Sequence, residues 1–411
     1  METELSELKY NLFAAYYEAR RNKRNTYDQL RFEICYEKEL FQLYEEIKNG
    51  TYTIGKSIAF IIDKPVKREI FAANFRDRIV HHLMFNYLNP IIEPLFIEDS
   101  YSCRKGKGTS FGIRRAYDQL KMITSSFTKD AYILKLDIKS YFMSINKNRL
   151  MKKLRDIISE NTFKKSRYMA SGGNVHRDID YDSWFGILEK VVYHDPTTKC
   201  TIKGKVSHWE KLPDSKSIFK SAPDCGLPIG NLTSQLFSNV YLNDFDHYMK
   251  DALKIEHYGR YVDDFYIFHT SKKEITKIFR RCRSFLLNEG LELHPRKIYL
   301  QHYTKGFQFL GVFIKPHKIY IRKRTAKKFK SLIRFYKKSI VDKGEPNMEQ
   351  IRNLRSVVNS YLGFLKHYNT YNLRYKSIFA RPACIFFQYG YFSSNLSKMI
   401  IHKPFFDKYP I

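Results

Sequence analysis

Acidic residues are scarce in this chain: 42 Asp and Glu stand against 72 Lys and Arg, leaving a formal charge of +30 over 411 residues. A balance this basic points to a polyanionic partner, nucleic acid first and an anionic membrane surface second, against a merely solvated basic exterior. Long hydrophobic runs are missing as well. Without ~18 consecutive apolar residues no membrane-spanning helix is expected. The opening Met1-Glu2-Thr3-Glu4-Leu5 is acidic and has no apolar stretch, unlike a secretory leader. Six cysteines, at 35, 103, 200, 225, 282 and 384, include no Cys-x-x-Cys pair. That argues against a zinc site or a disulfide scaffold and for reduced thiols in a cytoplasmic protein. No internal repeat and no low-complexity tail is evident.

What is present suffices for a real core, with 43% hydrophobic residues, and the length suggests two to three packed parts at ~150 residues each. Residues 4–49 read as helical; Leu30, Phe32, Ile34, Leu40 and Leu43 recur at helical spacing before Asn49-Gly50. Thr51 to Ile62 reads as a strand, and 75–98 as helix broken at Pro90 and Pro94. Residues 131–138 form a short apolar strand that ends on an acid. The long 158–222 stretch, with loop-like Ala170 to Asn174 and Asp195 to Thr198, reads as an elaborated connection. A helix over 232–250, a hairpin over 257–269, a helix over 273–289 stopped by Gly290, and strands at 307–314 and 318–322 follow. Residues 325–395 read as mostly helical and very basic; Lys315 to Val341 holds eleven Lys/Arg and no acid.

Two of these apolar runs carry carboxylates: Leu134-Lys135-Leu136-Asp137, and Tyr261-Val262-Asp263-Asp264 before Phe265-Tyr266-Ile267. An acid beside a hydrophobic strand is costly to bury unpaired, but a divalent cation neutralises it. Phosphoryl transfer on two Mg²⁺ ions ~3.5–4 Å apart calls for two or three such acids on a rigid sheet. Alone, an Asp-Asp pair is a common turn dipeptide.

Order and surroundings raise the pair above that. Tyr261-Val262-Asp263-Asp264 resembles the Y-x-D-D motif of reverse transcriptases, and Asp137-Ile138-Lys139-Ser140-Tyr141-Phe142 their upstream acid motif. Gly226-Leu227-Pro228-Ile229-Gly230-Asn231-Leu232-Thr233-Ser234-Gln235 resembles the segment that opens the helix beside the nucleotide. His294-Pro295-Arg296-Lys297 and Gly306-Phe307-Gln308-Phe309-Leu310-Gly311 resemble the last palm motif and the primer grip. Lys64 to Ile70, Phe75 to Val80 and Ser100 to Gly108 resemble fingers segments. The motifs span about 60–315, in family order; the long 158–222 connection departs from the shortest members. The Ile229-to-Gln235 form is similar to the reverse transcriptases of bacterial diversity-generating retroelements. Ala14 to Arg24 and Asn359 to Gly363 fit that group too, while antiphage-defence reverse transcriptases share many of the motifs.

The resemblance implies an α+β right-hand polymerase: a helical N-terminal segment (1–50), fingers (51–130), a palm with an antiparallel sheet (131–315) and a helical thumb with the C-terminal segment (316–411). By the family pattern Asp137, Asp263 and Asp264 hold two Mg²⁺ ions, with Mn²⁺ as a substitute. Lys297 either protonates the departing pyrophosphate or simply binds phosphate. Phe142 either closes on the sugar 2′ position or is a core ring. Lys67 and Arg68 either meet the triphosphate or belong to a basic surface, with Lys64 able to exchange with Lys67. Gly230 allows close approach to the nucleotide, Gln235 faces template or base pair, and Thr233 and Ser234 serve equally well as a helix N-cap. Arg104, Lys105 and Lys107 form a basic patch near the template. Gly311 lies in the primer grip, and Lys323, Arg324, Lys327 and Lys328 track the nucleic-acid backbone with strong salt dependence.

The expected reaction is addition of dNMP units from dNTPs to a DNA or RNA primer on an RNA template, giving cDNA. A template or non-coding RNA and an accessory protein are the expected partners, and no membrane. The roughly fifty residues after Tyr361 are too few for a typical nuclease domain. Alternatives are a non-catalytic RNA-binding scaffold, against which the intact acids argue, and a polymerase that is template-independent or protein-primed. An antiphage-defence enzyme working with a non-coding RNA is the nearest alternative role.

Overall fold

The computed structural model describes residues 6–21, 26–63, 66–171, 178–341, 346–379 and 386–402. Lys23, Arg24, Lys64, Pro65, the Gly172 to Asn174 stretch and Cys384 lie outside the described residues. The strands, in chain order, are β1 (Ser57–Ile62), β2 (Arg68–Ala72), β3 (Tyr132–Asp137), β4 (Cys200–Ile202), β5 (Tyr258–Tyr261), β6 (Asp264–His269), β7 (Tyr299–His302), β8 (Phe307–Phe309), β9 (Val312–Lys315), β10 (Lys318–Ile321), β11 (Gly390–Phe392) and β12 (Met399–Ile401). The chain forms two compact units: residues 1–112, 134–267 and 273–299, and residues 113–133, 268–272 and 300–411. The expected division at 50, 130 and 315 does not coincide with them. Residues 113–133 join the second unit through rings: Phe127 packs against Tyr117 and is stacked on Tyr303.

The first unit is built around the helix Phe75–Ile92, which packs on the helices Glu7–Arg20, Glu160–Ser171 and Leu232–Tyr241. Its start is set by Asn74, whose side chain accepts from the Asp77 amide at 2.9 Å. The helix runs through Pro90 instead of breaking there, because buried Leu88 and Ile92 hold its last turn in spite of the missing N–H. The 27–47 stretch is two helices, Tyr27–Ile34 and Tyr36–Lys48, parted at Cys35, where φ −133° and ψ 42° leave the helical region. The strand expected from Thr51 begins only at Ser57. Before it, the Tyr52 hydroxyl and the Gly55 amide both donate to buried Asp77, each at 2.8 Å, which draws the chain to the helix.

β1 is the middle strand of a three-stranded sheet, antiparallel to β2 and parallel to β4. β4 comes from the 158–222 connection, which is no loose loop: it also holds the helices Glu160–Ser171 and Tyr181–Tyr193. A single buried carboxylate clasps it to β2. Glu69 accepts from Trp209 Nε1 at 2.7 Å, Ser217 Oγ at 2.8 Å and the Ile218 amide at 2.6 Å.

The second unit holds the antiparallel sheet β10-β9-β8 and the helices Lys323–Val341, Met348–Leu365 and Tyr371–Ile378. Asn347 and Gln350 close a reciprocal capping box at the start of the second of these. Phe329, Ile333, Leu354, Val358 and Leu362 form the core between the helices. The C-terminal region is not all helix: β11 and β12 pair antiparallel within it. Among the described residues no helix is long and apolar enough to cross a membrane.

Two predictions follow from the buried polar groups of the first unit. In Glu69→Gln, one carboxylate oxygen becomes an amide donor facing donors. The expected loss is about 2–3 kcal/mol in urea unfolding, with faster proteolysis between 203 and 221. His81, buried with Nδ1 2.8 Å from Thr233 Oγ1, has its pKa lowered to about 3, chiefly by burial and then by His194. The fold therefore prefers the neutral ring, and that contribution is full above the unfolded pKa of ~6.5 and declines as pH falls below it. The stability advantage of the native protein over His81→Gln should shrink by about 1.4 kcal/mol between pH 7.5 and 5.5 in denaturant titrations; a constant difference would contradict it.

Candidate active site

The hairpin β5–β6 pairs Tyr258 with Ile267 and Tyr261 with Asp264, leaving Val262 and Asp263 as its two-residue turn. Val262 is left-handed, φ +57°, a strained state for a β-branched residue. The structure beneath holds it there. Arg260, fully buried, donates from Nη1 to the Val262 carbonyl at 3.0 Å, and from Nε to Asp246 at 2.8 Å in a buried ion pair. Burial pulls the Arg260 pKa down, but Asp246 more than offsets this and leaves it raised. Tyr258 Oη donates to the same Asp246 at 2.6 Å. Gly259 is obligatory in this strand, since a Cβ would lie 2.4 Å from Tyr101 Oη and 2.5 Å from Tyr266 Oη.

β3 lies next to β6 and delivers Asp137 to the turn. The Ile138 amide donates to the Asp263 carbonyl at 3.0 Å, and the His294 amide to the Asp137 carbonyl at 2.8 Å. The second bond brings the 294–297 turn alongside. Lys297 Nζ then sits 2.8 Å from both carboxylate oxygens of Asp137. Lys135, two residues before Asp137 and on the same face of β3, places Nζ 2.7 Å from Asp264 Oδ1. Three carboxylates thus converge with two ammonium groups that stand in for part of the positive charge the cluster needs. Burial, and then the charge of Asp137, raises the Asp263 pKa to about 6. Burial also raises Asp264 to about 6, against the pull of Lys135.

The donor set is all oxygen, which suits a hard cation such as Mg²⁺. Among the described residues no three His, Cys, Asp or Glu side chains close a metal cage by themselves. A Mg²⁺ ion takes one or two protein carboxylates and completes its shell with substrate phosphates and water.

The other expected residues are dispersed around this centre or away from it. Phe142 is half-buried against the cluster of Ala59, Phe71, Met143 and Ile218, on which Trp209 and Ile229 also pack. Gly230 has φ +135°, and a Cβ there would meet the Phe71 carbonyl at 3.0 Å, so its glycine serves the close crossing with β2. Gln235 and Arg68 are exposed; Lys67 donates to the Glu210 carbonyl at 2.7 Å. Thr233 and Ser234 are not the N-cap. Asn231 holds that position and spends its side chain on the Ala73 amide at 3.0 Å, while Thr233 meets His81. Arg104 turns inward to Glu93 and to the carbonyls of Ile97 and Ser100, and Lys107 pairs with Glu98 at 3.0 Å, so only Lys105 of that patch is exposed and unengaged by these bonds. In the second unit Gly311 follows β8, and Lys323, Arg324 and Lys327 are exposed with Lys328 half-buried. Sequence reasoning missed Lys135, Asp246, Arg260 and Glu69. Period-two spacing from Asp137 marks Lys135, and a lone cation inside an apolar strand marks Arg260 as needing an acid.

Among solved structures, an apo telomerase from Candida tropicalis truncated from its C-terminal domain aligns at TM-score 0.45 and 14% identity, over 66% of this chain and 55% of that one. A telomerase from Candida albicans in complex with a TWJ fragment of telomeric RNA aligns at 0.44 and 14%, over 82% and 61%. The chain therefore spans less than two thirds of the length of these telomerases. Protein YkfC of Escherichia coli (strain K12) is 27% identical over 324 residues, 70% of this chain and 72% of that protein. Residues 62–314, more than half of the chain, match the family described as reverse transcriptase (RNA-dependent DNA polymerase). The chain belongs to that family, with its α+β right-hand polymerase fold.

Proposed function

We propose that this protein synthesises cDNA on an RNA template by two-Mg²⁺ nucleotidyl transfer, within a bacterial retroelement or RNA-linked system. The observation that carries this reading is the convergence of Asp137, Asp263 and Asp264 with Lys297, whose Nζ is 2.8 Å from both Asp137 oxygens. Asp137, Asp263 and Asp264 would hold the ions, which when bound acidify the primer 3′-hydroxyl and neutralise charge on the triphosphate. Lys297, with Nζ beside Asp137, serves the departing pyrophosphate as acid or as phosphate ligand. Arg68 and Lys67 bind triphosphate oxygens from β2 and its approach. Phe142, packed against the cluster of Ala59, Phe71, Met143 and Ile218, faces the sugar and excludes the ribonucleotide 2′-hydroxyl. In this reading residues 51–130 serve as fingers, 131–315 as palm and 316–411 as thumb, the last binding the backbone through Lys323, Arg324, Lys327 and Lys328. The Ile229-to-Gln235 form supports a diversity-generating retroelement over other settings.

Primer extension on a defined RNA template tests the chemistry. Asp263→Asn should lower kcat by more than ~1,000-fold, about 4 kcal/mol, with the protein still folded; retention of a tenth of the activity would overturn the assignment. Phe142→Ala should relax discrimination between dNTP and rNTP by roughly 10- to 200-fold, read as the ratio of kcat/KM values. Unchanged discrimination would reject the gate. Sequencing cDNA from cells then tests the setting: copies of a near-repeat of a neighbouring protein gene support diversification, and copies of a separate non-coding RNA support defence.

A further inference from the structure

The second unit contains a concave site of about 320 Å³ that shares no residue with the carboxylate cluster. Tyr117 comes from the helix Thr109–Ile123, His317, Lys318 and Ile319 from the β9–β10 turn and the start of β10, and Lys366 to Asn369 from the chain after the helix Met348–Leu365. Its lining carries two lysines, two histidines and two tyrosines, and no acid. Lys318 and Lys366 are exposed, and among the described residues neither has a carboxylate partner. Lys318 rests its ammonium 5.3 Å over the Tyr320 ring. Arg114 lies close enough to Tyr368 to pull its pKa down against the upward push of burial, and Asp118 is the acid felt by Tyr117.

One lining residue, His317, and the 125–127 loop packed behind it are strained. Ser125, Ser126 and Phe127 are consecutive left-handed residues, with φ +45°, +62° and +72°, and His317 has φ +61°. Each such non-glycine residue costs about 1–2 kcal/mol. Phe127 packs on two of the lining residues: its ring lies 4.6 Å from His317 and 5.8 Å from Tyr117, and its carbonyl accepts from Tyr303 Oη at 2.8 Å. Thr124 ties the loop by accepting from the Phe127 amide at 3.0 Å. A loop kept in a costly conformation to brace two lining residues is expected where a site must be rigid.

Cations without acids select an anion, and tyrosine rings next to them select a flat apolar group; together they match one nucleotide with its phosphate. The volume, at the low end of the ~300–1,000 Å³ of small-ligand pockets, admits one nucleotide and no duplex. The site is open to solvent, so a strand can enter and leave it. We propose that it binds an unpaired nucleotide of single-stranded RNA, with Lys318 and Lys366 on its phosphates and Tyr368 or Tyr117 against its base. This site differs from the exposed basic face at Lys323, Arg324 and Lys327, and does not rest on the roles assigned to the acids.

The test uses the full chain, a fluorescent unstructured 12-nucleotide RNA, a 12-base-pair RNA–DNA duplex and free UMP. Lys318→Gln/Lys366→Gln should weaken single-strand binding by about 10- to 100-fold and lower the salt slope by about 1.4, while duplex affinity changes less than twofold. Tyr368→Ala should weaken the single strand by at least fivefold. In the unmutated protein, RNA carrying 4-thiouridine should crosslink to Tyr117, Tyr368 or a neighbouring lining residue, which keeps the test valid if a variant misfolds. Equal losses for single strand and duplex would reduce the site to general charge and overturn the proposal. So would crosslinks confined to other segments, unchanged binding, or UMP displacing the RNA at micromolar concentration, which would mark a mononucleotide pocket.

Discussion

The ion pair between Arg260 and Asp246, wholly removed from solvent, is the constraint on which the candidate active site depends. Two charges at such depth gain little net stability over well-packed apolar residues, yet breaking one side is strongly destabilising. What the pair supplies is position. Asp246 comes from the short helix Asn243–His247 and receives Tyr258 as well as Arg260, both from β5. Arg260 then holds the Val262 carbonyl, and its backbone bonds both ways with the 99–101 segment. The strained turn that presents Asp263 is thus held from below by a charge-assisted network, not by the intrinsic preference of its residues.

The same logic, reversed, governs the acids above it. Asp246 has a permanent cation; at Asp263 and Asp264 burial pushes the pKa up to about 6, and the nearby lysines offset only part of that rise. Structural and functional carboxylates in this unit differ in how completely they are satisfied. Glu69 belongs with Asp246: three donors close around it, and its task is to clasp the 158–222 connection to β2.

Much of this was legible in the sequence. The Tyr261-to-Asp264 motif, the acid ending β3 and the order of the segments between them identified the chemistry and the hairpin, because backbone geometry at a strand end is a local property. Long-range satisfaction was not legible. Arg260 demands a partner, but the sequence does not say which acid lies in reach, and Asp246 has no mark of its own. Thr233 carries the right chemistry for a cap, yet Asn231 takes that position and His81 takes the hydroxyl. Arg104 looks like a phosphate contact until Glu93 and two carbonyls are seen to absorb its donors. The 158–222 stretch read as connection because its helices and β4 are stabilised by distant partners, Glu69 above all.

Charge shows the same division between local pattern and tertiary use. A count of +30 says that the protein meets a polyanion, but not with which residues. Many of its cations are committed internally: Arg260 to Asp246, Lys297 to Asp137, Lys135 to Asp264, Lys250 to Asp99. Those left without acids matter for binding, since an uncommitted lysine loses no partner when it meets a phosphate. Lys318 and Lys366 are of this kind, and they stand where four left-handed residues hold the surrounding rings. Strain recurs at both places argued to act on nucleic acid, Val262 in one unit and Ser125 to Phe127 with His317 in the other. In each case packed neighbours impose a conformation the residue would not choose, and the group so presented is one that a folded chain alone leaves unsatisfied.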